Sequence, residues 1–195
     1  MIDFSRPSLW ISAGSIVFNP LFWNIAARQE YKTKWITKLA GNQPRCGCYA
    51  LAATIFTLGL IRDALFHDAL QFQPILAILK MAEVKIFGTA LILAGNVLVL
   101  SSMWALGITG TYLGDYFGIL MDERVTGFPF NVLDNPMYVG STLNFLGVSL
   151  LYASPAGIAL TIFVFICYSV ALQFEEPFTA MIYANREKDK TKKRT

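Results

Sequence analysis

Two adjacent glutamates, Glu175 and Glu176, follow directly on an apolar stretch that begins at Ala156. If that stretch is a helix ending at Phe174, these two acids (the acidic pair) lie where the helix dipole already places partial negative charge. Acids in that position are stabilised by an offsetting cation, and a bound sulfonium or ammonium ion would supply it. The simpler interpretation is that the acidic pair marks the water interface at the end of a membrane helix.

A second group of candidate residues lies between Thr109 and Tyr138, where aromatic side chains are interspersed with acids. Aromatic rings and carboxylates together hold quaternary ammonium groups, each cation–π contact contributing about 0.5–2 kcal/mol. Aromatic residues also form belts at membrane interfaces, and the two interpretations are compatible. The candidates for orienting a substrate amine are Tyr138, Asp115 and Asp134, and the sequence names no general base.

A predicted helical hairpin relates these two groups of residues. Asn135-Pro136 is typical of a helix start, because Asn caps and Pro suits the first helical position. Apolar helices are predicted at 136–153 and 156–174, with a break at Ser154-Pro155 between them. Two helices of nearly equal length around a tight turn form an antiparallel hairpin. The hairpin therefore returns the acidic pair to the membrane face at which its first arm begins.

The composition indicates a membrane protein. Of its 195 residues, 55% are hydrophobic and only 15% are charged, whereas soluble domains carry about 25% charged residues. A net charge of +3 is too small to indicate nucleic-acid binding, and the three cysteines and one histidine show no metal-ligand spacing. We expect an all-α integral membrane bundle, a single domain of four to five transmembrane helices whose C-terminal hairpin carries the cofactor site. The predicted segments are a kinked or re-entrant helix at 7–27, membrane helices at 46–61, 86–108, 136–153 and 156–174, and a basic tail at 186–195.

The distribution of Lys and Arg predicts the orientation in the membrane. If five segments cross, the tail, the 109–134 loop and the 28–45 loop share one side and hold twelve of the 16 basic residues. The positive-inside rule then places the tail in the cytosol. The last four residues, Lys192 to Thr195, also match a dilysine retrieval pattern of endoplasmic-reticulum proteins.

The third apolar segment contains two residues that could contact a ligand. Gly95 allows either close helix packing or close approach of a ligand to the backbone. Asn96 is a polar group in the middle of the span, and such groups find partners or line cavities.

Several unbroken strings of the sequence resemble the phospholipid N-methyltransferases. The likeness extends from about Phe18 to Asn185, and within the family it is greatest to the fungal enzymes of the later methylation steps, followed by the animal enzymes. The matching strings are 18–24, 97–102, 109–119, 124–131, 134–138 and 175–180.

The resemblance implies S-adenosylmethionine as methyl donor, a membrane phospholipid as substrate and the endoplasmic-reticulum membrane as location, with mitochondria-associated membrane as a further possibility. It implies methylation of phosphatidyl-N-methylethanolamine and then of the dimethyl lipid to phosphatidylcholine, with phosphatidylethanolamine as a possible additional substrate. The alternatives are an isoprenylcysteine-carboxyl-type methyltransferase and a small, non-enzymatic membrane transporter.

The family binds its donor through a Gly-x-Gly in the third apolar helix and a Glu-Glu pair after the last one. The pair matches at Glu175 and Glu176, whereas this chain reads Leu93-Ala94-Gly95 at the glycine motif. The resemblance thus implies donor contacts from Ala94 and Gly95 as well as from the acidic pair. The Asn-Pro-x-Tyr helix start that ends at Tyr138 also resembles the isoprenylcysteine methyltransferase group, whose cofactor cradle pairs such a start with an acidic helix end.

Overall fold

Helices account for the whole regular structure of residues 2–192, the part of the chain that the computed structural model describes. The all-α prediction is confirmed. Four helices are long and apolar enough to cross a membrane, the third of them together with the 3₁₀ turn that follows it. The elements are α1 (Pro7–Thr33), α2 (Trp35–Leu39), α3 (Pro44–Gln71), a 3₁₀ turn (Ala77–Lys80), α4 (Ala82–Thr111), a 3₁₀ turn (Gly114–Phe117), α5 (Pro136–Leu151) and α6 (Pro155–Lys192).

The first helix continues through its internal proline. We expected segment 7–27 to be kinked or re-entrant; the re-entrant form is wrong, because α1 is one helix of 27 residues with Pro20 inside it. Such a helix is about 40 Å long, so the chain does not turn back within it. The Asn24 side chain donates to the carbonyl of Pro20 at 3.1 Å, which places its amide next to the helix backbone instead of in the apolar surroundings.

The second membrane helix is longer than the predicted 46–61. It runs over Pro44–Gln71, so Arg62 lies inside the helix and does not mark its end. The guanidinium bonds to Asp63 and to the hydroxyl of Tyr168 on α6. Because these partners satisfy the charge within the bundle, the helix continues past it.

The last helix does not end at Phe174. It extends over Pro155–Lys192 with Pro177 in its interior, so the acidic pair lies within a helix and the dipole argument for an offsetting cation does not apply. A proline inside a helix removes one backbone donor. Here the Arg28 guanidinium donates to the nearby carbonyl of Phe174 at 2.6 Å, which adds a side-chain donor to the helix backbone close to the proline.

The two arms of the predicted hairpin differ in length, since α5 has 16 residues and α6 has 38. The start at Pro136 agrees with the prediction. The Asn135 side chain, however, makes no capping bond. The predicted basic tail falls partly on residues 193–195, which lie outside the described range.

The polar segments collect at one end of the bundle. The ammonium of Lys34, just after α1, donates to the carbonyl of Tyr116 at 3.2 Å, and Arg186 near the end of α6 donates to the carbonyl of Met121 at 2.7 Å. At the opposite end, the backbone N–H of Asp3 donates to the Gln73 side chain at 2.9 Å. The two loops expected on one side and the first residue of the tail, Arg186, therefore lie at the same end of the bundle.

Helix α4 is attached mainly to α5, through glycines that face each other in pairs. A Cβ added at Gly95 would lie 2.5 Å from the carbonyl oxygen of Gly140, and one added at Gly147 would lie 2.5 Å from that of Gly88. The glycines on each helix are seven residues apart, two turns, so they form one seam in which the backbones touch. The seam fixes the register of α4 against α5.

The core of the bundle joins α1, α3, α5 and α6. Ile16, Phe66, Phe145 and Val164 are all almost fully buried there. The outer surface is apolar instead of polar, and Trp104 on α4 is 91% exposed. This inverted distribution is what a helical bundle surrounded by lipid requires.

We predict that Gly147→Ala lowers stability by about 1–3 kcal/mol, because overpacking at a close backbone contact forces the helices apart. The matched control is Gly59→Ala on α3, where an added Cβ meets nothing within 4 Å and helix propensity favours alanine. Thermal unfolding of both variants in detergent measures the difference. If Gly147→Ala unfolds at the wild-type temperature, the α4–α5 seam is not packed as described.

Candidate active site

A cavity of about 380 Å³ opens among α1, α3, α4, α5 and α6 at the end of the bundle that carries the polar loops. Its wall from α4 includes Leu106, Gly110 and Thr111. Within this stretch, directly after Leu106, Gly107 interrupts the helix with a φ of 63°. Only glycine adopts this conformation without strain, and the break redirects the last turn of α4 along the cavity.

Glu175 lies in the cavity wall and is held by side chains from two other helices. Tyr138 of α5 donates its hydroxyl to Oε2 at 2.6 Å. From α1, Asn24 donates to Oε1 at 2.9 Å and the indole N–H of Trp23 donates to the same oxygen. Three donors fix the position of this carboxylate and compensate for its removal from water.

Glu176 occupies a different position from its neighbour. It is exposed, lies outside the cavity wall and accepts a hydrogen bond from the Asn135 side chain at 2.9 Å. Successive residues on a helix point about 100° apart, and α6 places only Glu175 of the two in the cavity wall. The hairpin brings the acidic pair to Asn135 and Tyr138 as expected, but it divides the pair between the cavity and its surroundings.

Two further carboxylates line the cavity. Asp115 accepts a hydrogen bond at 3.1 Å from Thr179, which lies one turn after Glu175 on α6. Asp134 is exposed. No Lys or Arg belongs to the cavity wall within residues 2–192. Three carboxylates without a basic partner give the cavity a negative potential, which favours cationic ligands.

Aromatic rings complete the wall. Tyr138 contacts Tyr168 edge to face, with ring centroids 4.9 Å apart. Rings facing a cavity that also holds carboxylates are suited to cations such as sulfonium and ammonium groups. The aromatic residues that line the cavity are Trp23, Tyr112, Phe130, Tyr138, Tyr168 and Tyr183.

Ala94 and Gly95 are not part of this cavity wall. Gly95 is buried in the seam with α5, where an added Cβ would lie 2.4 Å from the Asn144 side-chain oxygen. Leu93, which stands where the resemblance implies the first glycine of the donor motif, is 63% exposed on the outer face. The geometry gives Gly95 a packing role, and a donor contact from this segment stays a prediction.

Sequence reasoning did not select Trp23, Asn24 or Thr179 as site residues. Asn24 carried a usable signal, since a polar residue inside an apolar segment needs a partner, and that partner is Glu175. Thr179 follows Glu175 by four residues and therefore shares its helix face. Trp23 has no such signal, because a tryptophan in a membrane helix usually packs against lipid or neighbouring side chains.

Comparison with known proteins places this site in a family. A sequence model described as phospholipid methyltransferase matches residues 84–186, more than half of the chain. The chain belongs to the phospholipid methyltransferase family. It is 56% identical to phosphatidyl-N-methylethanolamine N-methyltransferase of Neurospora crassa, over 98% of this chain and 89% of that protein. It is 55% identical to the Saccharomyces cerevisiae protein of that name, over 97% and 91% of the two chains.

The human phosphatidylethanolamine N-methyltransferase is 49% identical, over 95% of this chain and 92% of that protein. No solved structure gives a significant match. The protein is therefore a membrane enzyme that methylates phospholipids, and it requires a methyl donor and a lipid acceptor. These relatives do not favour a carboxyl methyltransferase or a transporter.

We predict that Glu175→Gln weakens binding of the methyl donor about tenfold or more, because a hydrogen bond to a charged group contributes about 1.5–3 kcal/mol. Glu176→Gln is the matched control: it makes the same change one residue away, outside the cavity, and its effect should stay within about threefold. Calorimetric titration of the purified protein with S-adenosylmethionine, the donor that the sequence resemblance implies, measures both affinities. Equal losses in the two variants would contradict the division of the acidic pair.

Proposed function

We propose that the enzyme transfers methyl groups from S-adenosylmethionine to phosphatidyl-N-methylethanolamine and then to the dimethyl lipid, which yields phosphatidylcholine. The observation that carries the proposal is the cavity with three carboxylates and several aromatic rings. Both the donor and the lipid amine carry positive charge, and such a cavity attracts both. The names of the fungal relatives support the choice of acceptor.

The cavity fits S-adenosylmethionine in size and in polar groups. Its volume of about 380 Å³ is within the usual range of about 300–1,000 Å³ for ligand pockets. Within the described part of the chain, the hydroxyl of Thr111 is buried without a hydrogen-bond partner, and this residue lines the cavity. Bound there, the donor supplies an electrophilic methyl group on a cationic sulfur.

We assign the donor to the part of the cavity around the acidic pair. Glu175 lies in the wall and attracts the cationic part of the donor, whereas Glu176 and its partner Asn135 contribute from outside the wall. Because Glu175 is held by Tyr138 and two side chains of α1, it needs little rearrangement when the donor binds. Such preorganised charge is an efficient way to position a reactant.

We assign the lipid amine to Asp115, Asp134 and Tyr138. The Asp115 carboxylate is oriented by its hydrogen bond from Thr179. Thr179 belongs to α6, the helix that also carries Glu175. The carboxylates favour the protonated amine, whereas surroundings of low polarity favour the uncharged form that attacks the methyl group. The amine proton therefore passes to a carboxylate or to water before the transfer. The carboxylates orient the amine, and the apolar walls, which include Ile55 and Leu106, reduce its contact with water.

We propose that the enzyme resides in the endoplasmic-reticulum membrane with the cavity end and the C-terminus in the cytosol. The two loops at this end and the tail that begins there with Arg186 carry most of the basic residues of the sequence, which supports a cytosolic placement. The donor would then reach the cavity from the cytosol and the lipid from the bilayer.

Incubation of the purified protein with methyl-labelled S-adenosylmethionine and lipids that carry zero, one or two N-methyl groups tests the proposal. We expect label on the mono- and dimethylated lipids, and Asp115→Asn should lower that rate at least about tenfold because its carboxylate orients the amine. Thr179→Val removes only the partner of Asp115 and should have a smaller effect. Label on a prenylcysteine peptide, or on no acceptor, would reject the proposed substrate.

A further inference from the structure

A second, smaller cavity of about 120 Å³ lies beside the candidate active site, between α3 and α5. Its wall includes Arg62, Asp63 and His67 of α3 together with Ser141 and Asn144 of α5. Ser141 lines both cavities, so the two spaces adjoin. Ionisable groups within membrane helices are costly, and they usually mark a pathway or a binding site.

The guanidinium of Arg62 supplies the positive charge of this second cavity. Its Nε and Nη2 donate to one oxygen of Asp63 at 3.0 and 2.8 Å, and Nη1 donates to the hydroxyl of Tyr168 at 2.6 Å. It also lies over the ring of Phe145, 4.9 Å from the centroid. A guanidinium has five N–H groups. Three of them bond to other groups in the described part of the chain, so two remain for a ligand.

Tyr168 connects this cavity to the active site. Its hydroxyl bonds to Arg62, whereas its ring contacts Tyr138, which donates to Glu175. Tyr168 precedes Glu175 by seven residues on α6, which corresponds to about 10 Å along the helix. The carboxylates therefore lie at the loop-bearing end of the bundle. The guanidinium lies further from that end, at the level of Tyr168.

We propose that Arg62 binds the phosphate group of the phospholipid acceptor while the amine of the same lipid occupies the cavity with the three carboxylates. This inference rests on the proposed function and names the part of the substrate that a second group of residues binds. Arginine suits phosphate because its planar donors match the phosphate oxygens. The acceptor lipid has the complementary pattern, with a phosphate and an amine joined by a two-carbon bridge.

The order of charges along the bundle agrees with the orientation of a lipid in its leaflet. The amine of a phospholipid lies nearest to water, the phosphate lies deeper, and the acyl chains extend toward the bilayer centre. Here the carboxylates lie at the end with the polar loops, and Arg62 lies further inside the transmembrane helix α3.

The test is steady-state kinetics of full-length Arg62→Met in mixed micelles with saturating S-adenosylmethionine. We expect KM for phosphatidyl-N-methylethanolamine to rise about tenfold or more, with a smaller change in kcat and unchanged affinity for the donor. The second acceptor is a diacylglycerol ether of N-methylethanolamine, which has the amine and the chains but no phosphate. On this lipid, Arg62→Met and the wild type should have equal kcat/KM.

The matched control changes the other half of the ion pair. Asp63→Asn removes the acid that competes for the guanidinium, so KM for the phospholipid should not rise above the wild-type value. If the pair serves only to hold α3 in place, Asp63→Asn and Arg62→Met should have the same defect, and that result would overturn the proposal. An equal loss on both acceptors in Arg62→Met would overturn it as well.

Arg62→Lys is the second variant for the same kinetic test, in case Arg62→Met does not fold. It keeps the charge but not the planar donors, so we expect a several-fold rise in KM on the phospholipid and none on the phosphate-free lipid; equal effects on both would reject the phosphate site. Failure of the proposed function itself would look different, because the wild type would then methylate neither lipid.

Discussion

The hydrogen bonds that hold Glu175 are the constraint on which the arrangement of the site depends. A carboxylate inside a helical bundle is costly unless donors surround it, and here the donors come from Trp23, Asn24 and Tyr138. These side chains belong to α1 and α5, so one acid on α6 fixes the relation of three helices. The cavity lies where these helices meet. The same contacts that allow the acid inside the bundle therefore also determine where a cationic ligand binds.

The wall that α4 contributes to the cavity is positioned by close packing of backbones and not by charged groups. Helix α4 contacts α5 along glycines whose backbones touch, and in a membrane such close packing replaces the hydrophobic effect as the cause of association. The seam holds α4 at the edge of the bundle until Gly107, where the break turns its last residues along the cavity. Helix α5 therefore takes part in both kinds of contact. Near its start at Pro136 it is hydrogen-bonded to Glu175, and near its end it packs against Gly88 of α4.

The sequence predicted the helical membrane bundle, the start of α5 and the meeting of the acidic pair with Asn135 and Tyr138, because apolar length and turn residues are local properties. The ends of α3 and α6 were not predictable in the same way. Arg62 and Glu175 are charged residues that follow apolar stretches, and such residues usually mark the ends of membrane helices. Their partners on other helices, Tyr168 and Tyr138, allow both helices to continue. The separation of Glu175 from Glu176 could have been expected from the helical period once α6 was known to continue. The role of Trp23 could not have been expected, since its partner Glu175 is 152 residues away in the sequence.

The arrangement also indicates how a membrane enzyme can bring together a water-soluble donor and a lipid acceptor. Most of the polar groups near the cavity are already hydrogen-bonded to other parts of the protein, as Asp115 is to Thr179 and Glu175 is to Tyr138. These internal bonds weaken the pull of each carboxylate on a ligand, but they remove the need for the site to rearrange when the ligand binds. A methyl transfer leaves little covalent chemistry to the protein, so alignment of the two reactants is its main contribution. A rigid site at the junction of three helices, open toward the polar end and adjoined by a polar cleft between α3 and α5, meets that requirement.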